Sequence, residues 1–231
     1  MAVGLFKTLK DTIFPLSCVG CQRDGELLCT VCRAGFVFRN TQHCPVCEAP
    51  TVYGSTCAEH VGGDLDGVVA LGWYANPQLQ TLIRQWKYGY VREAEPVIER
   101  LVSVWMNQTQ QLPTGEWVVV PVPLHPIRER QRGFNQASIL SRMVSDELGI
   151  PMDTLILIRT RHVLKAQAKM EDKTKRAANH LDHFRVDGQA PRQVILVDDV
   201  YTTGKTMQAC ARVLKRAGAQ TVWGCVLARG D

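Results

Sequence analysis

Four stretches of the chain stay apolar for too long to be exposed faces. Residues 67 to 75 (GVVALGWYA), 117 to 123 (WVVVPVP), 193 to 199 (QVILVDD) and 221 to 228 (TVWGCVLA) read as strands. The third is apolar until two carboxylates end it, the pattern of a strand buried on both faces of a parallel sheet. Between the strands, apolar positions recur at helical spacing over 77 to 88, over 92 to 108, from Asn135 to Leu148 with a stop at Gly149, and over 203 to 217. Pro96 places the expected start of the second helix close to itself. The stretch with Arg128, Arg130, Arg132 and Gly133 reads as a loop, 153 to 158 and 183 to 186 as short strands, and 172 to 180 as a polar helix. Strands and helices in alternation predict an α/β fold with a parallel sheet flanked by helices.

The first quarter of the chain does not share this pattern. Of nine cysteines, seven fall between residues 18 and 57, and the composition changes after Gly62-Gly63. A length of 231 residues accommodates a main domain of about 150 residues plus something smaller, so the boundaries expected are 1–62 and 63–231, with the linker near 61 to 66. The opening residues carry Lys7, Lys10 and Asp11, and no stretch approaches the roughly 20 apolar residues of a membrane span. A cytoplasmic protein without membrane insertion is the expectation. The net charge of +5 is concentrated: residues 159 to 176 hold seven Lys or Arg against Glu171 and Asp172, either a solvated face or a meeting place for anions.

The cysteines come as Cys18/Cys21, Cys29/Cys32 and Cys44/Cys47, followed by Cys57 with His60 at the same spacing. In a chain expected to stay in a reducing compartment, such pairs read as metal knuckles, and eight ligands make two closed, structural Zn²⁺ sites. Short loops favour sequential pairing, with Cys18, Cys21, Cys29 and Cys32 on one ion and Cys44, Cys47, Cys57 and His60 on the other. A cross-braced alternative exists, as does a reading in which His60 is a surface histidine. Cys210 and Cys225 stand alone in apolar surroundings, as core residues do.

The densest chemistry is VILVDDVYTTGKT, residues 194 to 206. An apolar strand ends in Asp198 and Asp199, and a hydroxyl-rich turn then enters a helix. Amides at a helix start cradle a phosphate, Thr202, Thr203 and Thr206 add hydroxyl donors, and Gly204 lets the backbone approach closely. With a phosphate there, the paired carboxylates lie where ribose hydroxyls would be. Ordinary capping explains one such residue, not the set. The Gly204-Lys205-Thr206 run lacks the first glycine of a Walker P-loop.

These thirteen residues resemble the signature with which type I phosphoribosyltransferases bind 5-phosphoribosyl 1-pyrophosphate (PRPP). The resemblance extends to Pro121-Val122-Pro123-Leu124, Arg128, Arg132-Gly133-Phe134-Asn135-Gln136, Arg159, Arg161, Gln167, Arg176, Asn179 and Phe184, which together are similar to the ComF family of competence-related proteins. It covers nearly all of the chain and implies a type I phosphoribosyltransferase-like parallel sheet preceded by a small double zinc-ribbon domain. It further implies Asp198 and Asp199 as the ribose-binding, catalytic pair, and Tyr201, Thr202, Thr203, Gly204, Lys205 and Thr206 as the 5-phosphate turn. Arg128, Arg132, Arg159 and Arg161 would meet pyrophosphate, the last two from a hood spanning 159 to 176, with Mg²⁺ arriving with PRPP. Lys205 stands where that turn usually has a small residue.

Three functions follow as expectations. One is an active phosphoribosyltransferase, for which no acceptor pocket is legible. Another, favoured by the resemblance, is a PRPP-binding protein that handles single-stranded DNA during uptake, with a DNA-translocation helicase or recombination proteins as partners. The third is a PRPP-sensing regulator, weakened by the lack of a helix-turn-helix pattern. Arg84, Trp86, Lys87, Tyr88, Tyr90 and Arg92 mix bases and aromatics in a way that suits single strands, although aromatics at this spacing also serve as core.

Overall fold

The computed structural model describes residues 16–88, 91–108, 115–160 and 183–230. The cysteine-rich head contains a short helix, α1 (Thr30–Ala34), and two minimal strands, β1 (Gln42–His43) and β2 (Pro50–Thr51), paired antiparallel. After it come β3 (Gly67–Trp73), α2 (Pro77–Tyr88), α3 (Val91–Gln108), β4 (Trp117–Pro121), α4 (Pro126–Arg132) and α5 (Gln136–Leu148). The remaining elements are β5 (Leu157–Arg159), β6 (Phe184–Val186), β7 (Gln193–Tyr201), α6 (Lys205–Arg216) and β8 (Thr221–Arg229).

The four long strands form one parallel sheet in the order β3-β8-β7-β4, which puts the apolar 193 to 199 run inside the sheet. Strand alternation then splits the core. Ile195 and Val197 face one layer, with Leu82 and Trp86 of α2, Ile98 and Trp105 of α3 and Leu140 of α5. Val194 and Leu196 face the other, with Met207, Cys210 and Leu214 of α6 and with Leu157 and Phe184 of the β5-β6 hairpin. Burying a side chain such as Leu196, fully withdrawn from water, is worth about 1.5–3 kcal/mol.

Open sheet edges invite pairing with other chains, and both are covered here. The head lies along β3: the Arg39 amide donates to the Leu71 carbonyl at 2.8 Å, and the side-chain amide of Gln42 pairs with both backbone groups of Ala70 at 3.0 Å. Segment 151–153 covers β4 through bonds on both sides of Val119. The linker is fastened to α6, where Arg212 Nε donates to Asp64 and Lys215 Nζ to Asp66, each at 2.9 Å.

Several sequence expectations need revision. Helix α3 does not begin near Pro96 but at Val91, with the proline in its second turn, where the missing N–H removes one helical bond and packing of Ala94, Ile98 and Leu101 outweighs that loss. The arginine stretch is not a loop: α4 forms there, started by His125, whose Nδ1 accepts from the Ile127 amide, by Pro126 in its first turn, and stopped by Gly133 in the left-handed region at φ 80°. The short strand expected over 153 to 158 is shifted to Leu157–Arg159 and pairs antiparallel with Phe184–Val186. The polar helix expected at 172 to 180, together with Arg161, Gln167, Arg176, Asn179 and most of the proposed hood, lies outside the described residues. No helix among the described residues is long and apolar enough to cross a membrane.

Candidate functional site

In the head, the eight expected ligands form two groups of four, Cys18, Cys21, Cys29 and Cys32, then Cys44, Cys47, Cys57 and His60, with the ligand atoms of each group within 4.8 Å of one another. This is the sequential arrangement, and His60 belongs to the second group. Tetrahedral zinc with Zn–S bonds of about 2.3 Å spaces its sulfurs by about 3.8 Å. The Cys21–Cys29 and Cys47–Cys57 sulfur separations are 3.8 and 3.7 Å, and His60 Nδ1 lies 3.1 Å from Cys57 Sγ, so the donor sets fit zinc. Each group contains one thiol prepared for ionisation. Burial opposes this at Cys18, but amides including those of Cys29 and Gly20 overcome it and bring the thiol down to about 6. Cys44 reaches about 6 in the same way, through the amides of Cys47, Cys57 and Val46.

The second site lies at the C-terminal edge of the sheet. A cleft of about 340 Å³ is lined by Asp198, Asp199, Thr202 and Thr206 together with Arg128, Arg132 and Arg159, and by Lys87, Tyr74, Asn135 and Gln136. Residues far apart in the chain thus converge in a volume suited to a small molecule. A larger groove of about 490 Å³ between α3 and α5 contains none of the expected site residues.

Because β7 alternates, its two carboxylates face different neighbours. Asp199 turns toward α2, where Lys87 Nζ lies 2.8 Å from its Oδ2. Asp198 accepts from the Asp199 amide at 2.8 Å. Withdrawal from water and the adjacent Asp199 carboxylate push the Asp198 carboxyl up to about 7, against the pull of that amide, Lys87 and Arg159. A carboxyl poised near neutrality in a cleft marks a candidate functional position.

The turn after β7 leads into α6, whose N-cap residue, Gly204, supplies no side-chain cap. None of the threonines caps the helix, so capping does not account for them, whereas α4 and α5 are capped by His125 and Asn135. Uncapped first-turn amides beside Thr202 and Thr206 are the arrangement that can hold an anion. Thr203 and Lys205 are exposed on the same turn but outside the cleft lining. Gly204 sits at φ 68°, and a Cβ there would overlap the Tyr201 hydroxyl and ring, so glycine is required twice over. Tyr201 itself departs from the expectation of ligand contact: it is buried, and its hydroxyl donates to the Pro45 carbonyl at 2.9 Å.

Of the arginines, Arg132 is held by neutral acceptors, Gln136 Oε1 at 3.0 Å and Tyr88 Oη at 2.9 Å, which leave its charge uncompensated. Arg159 lies with its guanidinium 5.1 Å from the Phe184 ring centre, and its Nε has no hydrogen-bond partner among the described residues. Burial, followed by repulsion from Arg128, pushes its pKa down, so an anion in the cleft would relieve both. Lys87, Tyr74, Asn135 and Gln136 are among the cleft residues that sequence reasoning did not assign to PRPP. Trp86 is core and Tyr88 is 75% exposed, while Tyr90 and the side chain of Arg92, which belong to the same aromatic-basic run, lie outside the described residues.

A strand-turn-helix cradle beside an acid pair, joined to a paired metal ribbon, defines a phosphoribosyltransferase-like protein of type I fold. Family models agree: residues 131–231 match the phosphoribosyl transferase domain, and residues 9–60 match the double zinc ribbon domain. DNA utilization protein YhgH of Escherichia coli (strain K12) is 30% identical over 210 residues, covering 84% of this chain and 87% of that protein. Competence protein F of Haemophilus influenzae is 29% identical over 228 residues, covering 91% and 96%. Competence protein ComFC of Streptococcus pneumoniae is 23% identical over 223 residues, covering 94% of each chain. The chain belongs to the ComF family.

Proposed function

We propose that this ComF-type protein binds PRPP in the sheet-edge cleft and serves the cytoplasmic handling of single-stranded DNA during DNA uptake or use. The observation that carries the reading is the convergence of an acid pair, a threonine turn and three arginines on one cleft. Asp198 and Asp199 take the vicinal ribose hydroxyls. Thr202, Thr206 and the first amides of α6 take the 5-phosphate, with Thr203 and Lys205 at its outer side. Arg128, Arg132 and Arg159, joined by Arg161, take the pyrophosphate, where a planar guanidinium can bind two oxygens at once. Mg²⁺ arrives with PRPP and is held mainly by phosphate oxygens and water.

The names of the relatives, competence and DNA utilization, support the DNA side of the proposal, as does the basic excess over 159 to 176. A translocation helicase or recombination proteins are the partners this reading expects. Calorimetric titration with PRPP and Mg²⁺ tests the ligand. Changing Asp198 and Asp199 together to Asn removes two charged hydrogen bonds and should weaken binding at least about tenfold, with zinc content unchanged. Unaltered affinity in that variant would falsify the assignment. The near-neutral carboxyl of Asp198 favours a second reading, pentosyl transfer with Asp198 moving a proton to or from the acceptor. PRPP turnover in the presence of single-stranded DNA and a panel of bases supports that reading; its absence excludes it.

A further inference from the structure

The phosphate turn is built on the metal ribbon. Tyr201, 4% exposed, closes β7 two residues beyond the acid pair, and its hydroxyl donates to the carbonyl of Pro45, which lies inside the knuckle between Cys44 and Cys47. Its register partner on β8 is Arg229, 2% exposed. Arg229 donates from Nη1 to the His43 carbonyl and from Nη2 to the Cys44 carbonyl, each at 2.8 Å, while its guanidinium lies 5.3 Å from the Tyr201 ring centre. Two side chains of the sheet therefore hold three successive carbonyls, those of His43, Cys44 and Pro45, where the Cys44/Cys47 knuckle begins. The hydroxyl end of the same tyrosine ring fills the space against Gly204, the N-cap of the helix that follows the turn.

A guanidinium withdrawn this far from water needs acceptors that stay in place. Glu48, 3.8 Å away and 59% exposed at its side chain, compensates it only in part, so the backbone carbonyls carry most of the compensation. Those carbonyls stay in place because Cys44 and Cys47, on either side, are fixed by their place in the four-ligand group. Without the ion, the knuckle is a short loop with no apolar core of its own. The first group of ligands is placed differently, with Cys18 packed in the core layer that contains Leu27, Leu28 and Phe36.

We propose that Tyr201 and Arg229 are positioning residues that lock the 202 to 206 turn onto the Cys44/Cys47 knuckle, so that the second metal site holds the phosphate cradle in its binding shape. This deepens the proposed function and rests on its reading of the cleft. Linkage makes the coupling reciprocal: whatever the second ion adds to ligand affinity, bound ligand adds to retention of that ion.

The experiment uses the full chain loaded with zinc. A chromogenic chelator strips the metal with and without saturating ribose 5-phosphate, and calorimetry gives the affinity for the same ligand. Ligand should slow release of one zinc equivalent and leave the other unchanged. Tyr201→Phe keeps the ring against Gly204 and removes the hydroxyl that donates to Pro45, which should cut both protection and affinity by at least about fivefold, the value of one hydrogen bond. Arg229→Met should lower both further. Protection of both equivalents alike, or full protection surviving in Tyr201→Phe, overturns the coupling while ligand binding stands. Failure of the wild-type protein to bind either ribose 5-phosphate or PRPP overturns the reading of the cleft and the coupling with it.

Discussion

Replacing Asp198 with Asn should make the protein more stable, and by an amount that grows with pH. Asn keeps the size of the side chain and an oxygen that can accept the Asp199 amide, so the one bond Asp198 makes to the backbone survives. What disappears is a carboxyl whose pKa is 3.8 in the unfolded chain and about 7 in the folded one. A folded-state pKa raised in this way means the native protein binds the extra proton between those values. Stability from this group is therefore fully present below pH 3.8, falls as pH rises toward 7, and stays low above it. The span corresponds to an upper limit of about 4 kcal/mol at 1.36 kcal/mol per pH unit. At about 2–4 °C per kcal/mol for a chain of this size, the variant should melt at most about 8–16 °C above wild type at pH 8 and level with it near pH 4. Thermal melts of the two zinc-loaded proteins across that range decide the matter. A Tm difference that does not change with pH refutes both the raised carboxyl and its cause. The same variant should lose PRPP affinity, as expected where a destabilising group is kept for binding.

Lys87→Met removes the ammonium beside Asp199 and so raises the Asp198 carboxyl further; the midpoint of PRPP affinity against pH should move upward, and an unmoved midpoint denies Lys87 its place in the cleft. Elemental analysis should return about two zinc ions per chain, and a value of one would leave one of the two four-ligand groups without its ion. Single-stranded DNA should bind with a strong salt dependence, and changing Lys165, Lys169 and Lys173 together to Gln should flatten the slope of affinity against salt; an unchanged slope moves the contact surface elsewhere, with the ribbon examined next.

Much of this was legible because its physical cause is local. The run VILV can be buried on both faces only inside a sheet, and two carboxylates at its end mark the edge where a ligand approaches. Cys-x-x-Cys spacing reflects the reach of a knuckle, so the ligand groups were readable before any fold. What escaped depended on distant contacts or on one rule overruling another. Lys87, near the end of an amphipathic helix, looks like a solvated charge, and nothing nearby in sequence points to Asp199. Tyr201 belongs to a motif whose neighbours line the cleft, and only the tertiary arrangement shows it directed at Pro45. In α4 the termination signals, Pro126 and Gly133, were present, but a short helix without an apolar stripe gives no periodicity to detect. At Pro96 the proline rule gave way to the packing of the residues around it.

If the cleft binds PRPP as proposed, it also has to reconcile two demands of a sugar polyphosphate, acceptors for hydroxyls and positive charge for phosphates. Two ionised carboxylates on its floor would repel the anion that the arginines attract. The floor avoids this by treating its two acids differently: Lys87 neutralises Asp199, and burial leaves Asp198 about half protonated near pH 7. The arginines beside it keep their charge, since Arg132 is held by a neutral amide and a phenol rather than by an acid. Positive charge therefore lies with the arginines and nearly neutral acceptors lie at the floor, which separates recognition of the anion from recognition of the sugar. Inorganic pyrophosphate should accordingly retain the arginine contacts and lose those of the floor, and its affinity should hold or rise on Asp199→Asn, which frees the Lys87 ammonium, while that of PRPP falls.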